Sequence, residues 1–179
     1  MSIEEVIKKR LSIRKYDSRP IKREDIRSCL AAAQLAPSAC NAQPWEFIIV
    51  DTPAIRDTLC DAILSGIYGL NSFIRDAPVL VVVVADEKKW FVKVCDFVRS
   101  TKLCLIDLGI ACEHFVLRAA ELGIGTCYLG WFNERKVKKI LKIARTKRVH
   151  LVISMGYSLN NDTPQPKPRK ELCEISRFL

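Results

Sequence analysis

The chain has 179 residues, 49% of them hydrophobic and 27% charged, with a formal net charge of +9. That length can bury a core of its own, and the composition is globular rather than fibrous or disordered, so residues 1–179 are expected to form a single domain. The longest apolar run, residues 77–85, is far short of the ~20 residues a membrane span needs, and "MSIEEVIKKR" lacks the apolar stretch of a secretory signal, so a cytoplasmic protein without membrane association is expected.

Ser2 and Glu5 form a capping-box pattern, which predicts a short helix from Ile3 to about Arg10. "LSIRKYDSRPI" reads as an irregular connection. Residues 22–36 carry an apolar stripe, with Ile26, Leu30 and Ala33 at three- and four-residue spacing, and Pro37 should end that helix. "EFIIV" is a strand. Thr52 and Pro53 suit the N-cap and first position of the next helix, and "VLVVVVA" is a fully buried strand. Residues 91–122 hold the longest helical pattern, with one stripe through Leu105, Leu108, Cys112, Phe115, Ala119 and Leu122. A second stripe, Leu103, Ile106, Ile110 and Leu117, predicts a helix covered on two sides, as in a central helix or a subunit interface. Gly123 should cap it, "TCYLG" is a short strand, Asn133 caps another helix, and "VHLVISMGY" is the last strand. The tail from Ser158 is expected to be extended and basic. The result is an α+β chain with one mixed sheet flanked by helices. Neither a GxGxxG fingerprint after a strand nor a phosphate-binding P-loop occurs.

Eight cysteines, at 29, 40, 60, 95, 104, 112, 127 and 173, include no CxxC pair, so no metal site is expected, and most should be buried free thiols. Cys40 stands apart in "LAPSACNAQPWEFIIV", a helix-to-strand connection crowded with small polar residues. A nucleophilic role would need His114 or His150 beside it. Eight cations crowd residues 135–148. With no interleaved aromatics, that segment is expected to be a solvated face with some attraction for phosphorylated small molecules, not a nucleic-acid site.

Arg10, Ser12 and Arg14 alternate, so an extended backbone would aim all three one way, as a receptor for phosphate. Lys167 and Arg169, in "PQPKPRK", form a second such pair. Together, "RLSIRKYD", "AAQLAPSACNAQPWEFIIV", "AAELGIGTCYLGWF" and "ISMGYS…PQPKPRK" resemble the FMN-dependent nitroreductase family, in the family's order and over nearly the whole chain.

The resemblance implies a nitroreductase-like fold with FMN at a homodimer interface. One subunit supplies the arginine-rich segment and the basic tail, and the other supplies the helix-to-strand connection. It implies that Arg10, Ser12, Lys167 and Arg169 hold the FMN phosphate, with Leu11 between them lacking the basic side chain often found there. Arg14 would face the pyrimidine side of the flavin near N1 and O2. Pro37, Ser38, Ala39, Asn41 and Gln43 would approach the flavin, with Pro44 and Trp45 fixing the turn into the strand. Trp45 on its own reads as a plug for the core. Leu129 and Gly130 would pass the N5 edge with their backbone. Asn71 lies near a position where some members place a lysine or asparagine, but its register is left open. The implied activity is electron transfer from NADH or NADPH to a nitro compound, quinone or similar small acceptor, by a ping-pong mechanism. Alternatives are a reductive dehalogenase or flavin-fragmenting member of the family, or a flavin-binding protein without turnover. No catalytic side chain is assigned. This chain is short for the helical insertions that wall the pocket in longer members.

Overall fold

The structure is a computed structural model that describes residues 1–86, 102–159 and 167–179. Helix α1 (Ile3–Lys9) opens with the expected box: the Ser2 N–H donates to Glu5 Oε2 at 2.6 Å and the Glu5 N–H to Ser2 Oγ at 3.2 Å. Helix α2 (Arg23–Gln34) buries Ile26, Cys29 and Ala33 along one stripe. It ends short of Pro37, whose ring disfavours helical backbone at the residue before it. After β1 (Trp45–Val50), Pro53 takes the first position of α3 (Pro53–Ile63), while Thr52 caps it through backbone alone. A 3-10 stretch, Gly66–Asp76, leads into β2 (Val79–Ala85). Then follow α4 (Leu103–Glu121), β3 (Gly125–Leu129), α5 (Glu134–Ile140) and β4 (Arg148–Gly156). Gly123 closes α4 at φ +76, a backbone conformation that costs glycine nothing. Asn133 caps α5 by accepting from the Lys136 N–H at 3.2 Å.

The strands lie in the order β1-β2-β4-β3, and every ladder is antiparallel. Among the described residues, the parallel component of the expected mixed sheet is confined to one bridge, Ser12 to Thr126, on the outer edge of β3. Segment 10–16 thereby covers an edge whose N–H and C=O groups would otherwise lack partners. Strand β2 is buried along its whole length, as its unbroken apolar run requires. Leu80, Val82 and Val84 face Leu59, Ile63 and Val137 of α3 and α5. Val79, Val81, Val83 and Ala85 face Ile26, Cys29, Leu108 and Phe115 of α2 and α4. Each such side chain contributes about 1.5–3 kcal/mol by leaving water. Phe115 stacks on Phe47 with centroids 5.7 Å apart, and Trp45 is only half-buried, packing against the margin of the same cluster instead of plugging it.

Two expectations need correction or restriction. The tail is not extended throughout, because Leu172–Ile175 form a short helix, α6, with a capping box between Glu171 and Glu174. The helical pattern of residues 91–122 is realised from Leu103 onward, and its earlier part lies outside the described residues, as does Cys95. Within one chain α4 is covered on a single side: Leu108, Cys112, Phe115 and Ala119 are buried, whereas Leu105 is 41% and Ile106 52% exposed. Cys29, Cys60, Cys104, Cys112 and Cys127 are buried free thiols, while Cys40 and Cys173 are exposed. Burial pushes Cys29 and Cys112 up to about 12 and Cys60 up to about 11, so all three stay protonated and inert at neutral pH.

Candidate functional site

Residues 10–16 run along the edge of β3, and the sequence explains how they are held. The Ile13 N–H donates to the Thr126 carbonyl at 2.9 Å, and the Ile13 side chain is buried in the core. Gly125 lies directly beneath it. A Cβ at that position would stand 2.6 Å from Ile13 Cγ1 and 2.8 Å from its Cβ, so only glycine permits this approach. Tyr16 Oη donates to the Ile13 carbonyl at 2.7 Å and lies 2.7 Å from Ser154 Oγ. Burial raises the Tyr16 phenol well above its ordinary value, so the anchor stays protonated.

With Ile13 turned inward, its neighbours turn outward. The Cys127 thiol donates to the Tyr128 carbonyl at 3.7 Å, and Ser12 and the charges of Arg14, Lys167 and Arg10 are all near enough to act on that sulfur. Burial pushes the Cys127 thiol up, and those four residues pull against the shift without cancelling it. The two basic segments, some 155 residues apart in the chain, therefore converge on one spot above β3. Arg10 also faces Glu113 of α4, with Nε 3.8 Å from Oε1. Arg14 reaches the Ser12 carbonyl at 3.3 Å and lies 5.8 Å from the Phe73 ring centroid. Leu11 departs from the group: it packs against the core and lines a cavity of about 270 Å³ with Arg10 and Gly125. Arg169 is exposed and makes no ion pair or hydrogen bond among the described residues.

The second predicted cluster is the connection 37–43. It is built on strain and a few polar bonds. Cys40, Asn41 and Gln43 all adopt left-handed backbone, at φ 52, 50 and 47. For non-glycine residues that costs of order 1–3 kcal/mol each. What holds the loop is a bond from the Gln43 N–H to Ser38 Oγ at 2.9 Å, one from Gln43 Nε2 to Asn41 Oδ1 at 2.8 Å, and one from the Ala39 N–H to Asp107 Oδ1 at 3.1 Å. Asp107, buried on α4, keeps its other oxygen without a partner among the described residues. Pro37, Asn41 and Gln43 are exposed, and Ser38 and Ala39 half-buried. His114 turns to the Ala32 carbonyl at 3.3 Å, so it serves α2.

At the end of β3, Leu129 is buried, which leaves only its backbone for any site role, and Gly130 is exposed with open space around it. Beyond it, Asn71 Nδ2 donates to the Trp131 carbonyl at 3.4 Å, and Tyr68 meets Trp131 with ring centroids 5.0 Å apart. The 3-10 stretch thus brings Asn71 and Phe73 into the neighbourhood of Gly130 and Arg14. Sequence reasoning left Asn71 unassigned and missed Phe73, Glu113 and Cys127, since no local pattern distinguishes them from ordinary core and surface residues.

Within one chain the entry of the connection into the sheet and the Cys127 rung stand at opposite ends of β4. Connection 37–43 enters the sheet at Trp45, which pairs with Ala85 and so lies level with Arg148 of β4. Cys127 pairs with Ser154, at the far end of the same strand. Six residues of β4 separate these rungs, or about 20 Å.

Residues 7–157 match the sequence profile of the nitroreductase family. The chain belongs to that family. A putative NADH dehydrogenase/NAD(P)H nitroreductase of Archaeoglobus fulgidus is 35% identical over 169 residues, which is 92% of this chain and 86% of that protein. The crystal structure of a nitroreductase family protein from Clostridium novyi NT superposes with a TM-score of 0.79 at 32% identity, covering 92% of this chain and 89% of the other. An FMN-dependent nitroreductase of Clostridium difficile superposes with a TM-score of 0.71 at 28% identity, covering 94% and 92%. The α+β fold with its antiparallel sheet is the nitroreductase fold. Among the described residues of this nitroreductase family chain, no helix is long and apolar enough to cross a membrane.

Proposed function

We propose that the protein is an FMN-dependent oxidoreductase that takes electrons from NADH or NADPH and passes them to a nitro compound, quinone or similar small acceptor, in alternating half-reactions. The observation that carries this reading is that Arg10, Ser12 and Arg14 run along the edge of β3 beside Thr126, with Lys167 near enough to act on the same Cys127 thiol. Three cations and a hydroxyl on one patch fit a phosphate monoester, whose charge-assisted hydrogen bonds are roughly twice as strong as neutral ones. Arg169, exposed and two residues from Lys167, would add a fourth cation to the set.

The bound flavin would supply the hydride and electron chemistry. The chain's own residues bind and orient. Arg14, held by the Ser12 carbonyl and the Phe73 face, would present a cation to the pyrimidine side of a bound flavin, where negative charge grows on reduction. Leu129 and Gly130 would offer backbone and open space to the N5 edge of a bound flavin, with the exposed Trp131 next to them in the chain.

The active unit is a homodimer. Pro37, Ser38, Ala39, Asn41 and Gln43 lead into a strand that enters the sheet at Trp45, level with Arg148 and at the other end of β4 from the Cys127–Ser154 rung. They serve the flavin of a second copy, whose α4 covers the exposed Leu105 and Ile106. The left-handed residues of this loop and the free oxygen of Asp107 fit a segment completed by contacts from another subunit. The purified protein should be yellow, with flavin bands that bleach under NADH or NADPH and return when a nitroaromatic or quinone is added. A colourless protein that cannot be reconstituted with FMN would overturn the reading.

A further inference from the structure

Residues 134–148 hold eight cations and one carboxylate, a net +7 of the chain's +9. They fold into a groove of about 880 Å³, lined by Arg135, Lys138, Lys139, Lys142, Arg145 and Arg148 with Glu134 at its side. Arg135, Lys138 and Lys139 follow i, i+3, i+4 spacing and share one face of α5, and Lys142 stands just past its end. Like charges at that spacing destabilise a helix.

The single carboxylate does little to neutralise the groove, because it is already engaged. Glu134 Oε1 accepts from Arg148 Nε at 2.9 Å and Oε2 from Arg148 Nη2 at 3.0 Å, and the Val149 N–H adds a third bond. Burial pushes the Glu134 carboxyl up, but these bonds and the charges of Arg148 and Lys138 outweigh it and hold it below the usual range. Arg135, Lys139, Lys142 and Arg145 have no carboxylate partner among the described residues. The groove is also fixed in shape. Lys138 Nζ donates to the carbonyls of Arg145 (3.0 Å) and Lys147 (2.5 Å), pinning the turn against the helix. Lys142 adopts left-handed backbone at φ 53 where the Ile143 N–H closes the helix on the Lys138 carbonyl.

We propose that this groove binds an oligophosphate chain. Four unpaired cations along a walled groove match a ligand carrying several negative charges in a row, where a single phosphate would engage only part of the set. The volume lies within the range of small-ligand sites. No aromatic side chain lines the groove, so it lacks the stacking platform of a single-stranded nucleic-acid site. The site is separate from the flavin phosphate group: Arg148 and Ser154 stand at opposite ends of β4, and the groove shares no residue with the cavity beside Arg10. The proposal is therefore independent of the flavin reading.

The test is isothermal titration of the whole protein at low salt with inorganic tripolyphosphate, ATP without magnesium, and orthophosphate. Tripolyphosphate should bind once per chain, at least tenfold more tightly than orthophosphate, and raise the melting temperature. Lys139→Glu with Arg145→Glu, both exposed and so tolerated by the fold, should weaken it at least tenfold. Lys167→Ala with Arg169→Ala should leave it within twofold. ATP binding more tightly than tripolyphosphate would identify a nucleotide as the source of the phosphate chain, and equal or weaker binding would identify free oligophosphate. Absence of saturable binding, equal affinity in the groove variant, or loss in the tail variant instead would overturn the proposal. So would a single-stranded oligonucleotide that outcompetes tripolyphosphate at equal phosphate concentration.

Discussion

Gly125→Ala tests how the phosphate segment is seated. The new Cβ would lie 2.6, 2.8 and 3.0 Å from Cγ1, Cβ and Cγ2 of Ile13, where carbon atoms normally sit ~3.5–4.0 Å apart. Rotating Ile13 about χ1 moves the two γ carbons but not Cβ, so the 2.8 Å overlap survives every rotamer. The backbone of residues 12–14 must then retreat from β3 by up to about 1 Å, since contact needs ~3.5 Å or more. That motion strains the bond from the Ile13 N–H to the Thr126 carbonyl. Overpacking of this kind costs about 1–3 kcal/mol and a weakened hydrogen bond about 1 more. Denaturant unfolding should therefore show a loss of about 2–4 kcal/mol. Because Ser12 and Arg14 move with the segment, FMN affinity by fluorescence titration should fall at least tenfold, the loss of ~1.4 kcal/mol of phosphate bonding. Riboflavin, which has no phosphate, should lose less. Gly130→Ala is the stability control, since nothing lies within 4 Å of its added Cβ. Wild-type stability and FMN affinity in Gly125→Ala would refute this account of the seating.

Three further outcomes follow from other contacts. Lys167→Ala with Arg169→Ala should weaken FMN binding and leave riboflavin binding nearly unchanged, because charge-assisted bonds of ~1.5–3 kcal/mol exist only where a phosphate does; equal losses for both ligands would place the pair elsewhere. Arg14→Leu should lower the FMN midpoint potential by about 20 mV for each kcal/mol of preferential stabilisation of reduced flavin. Arg10→Leu should cost affinity in both redox states and leave the potential almost still, and potentiometric titration of the two variants separates these roles. Glu134 has a depressed folded-state pKa, so its contribution is present above the ordinary glutamate range and is lost as pH falls through the folded value. Glu134→Gln should thus destabilise by about 1–3 kcal/mol at pH 7, with the gap from wild type closing below about pH 4; a gap independent of pH would mean the Arg148 pairing is not its source.

The elements of this protein are legible where the cause is local. Ser2 with Glu5, Asn133 before its helix, Gly123 after α4 and the unbroken valines of β2 each act within a few residues, so reading along the chain suffices. The candidate site was legible through the order of its motifs: "RLSIRKYD", the loop after Pro37 and "PQPKPRK" mark the family, which residues 7–157 match. Tertiary structure alone decided the rest. The order β1-β2-β4-β3 depends on pairings as distant as Val79 with Met155, 76 residues apart, which no local pattern encodes. Cys127 meets Ser12, Arg14 and Lys167 only because segment 10–16 runs along the edge of β3. Leu11 turned into the core because its neighbours alternate, and chain order could not say which side of the segment β3 would bury. The cationic run at 135–148 reads in sequence as a solvated face. It becomes a groove because Lys138 pins the following turn and Arg148 returns on β4 beside Glu134, a closure that depends on the strand pairing with the rest of the sheet.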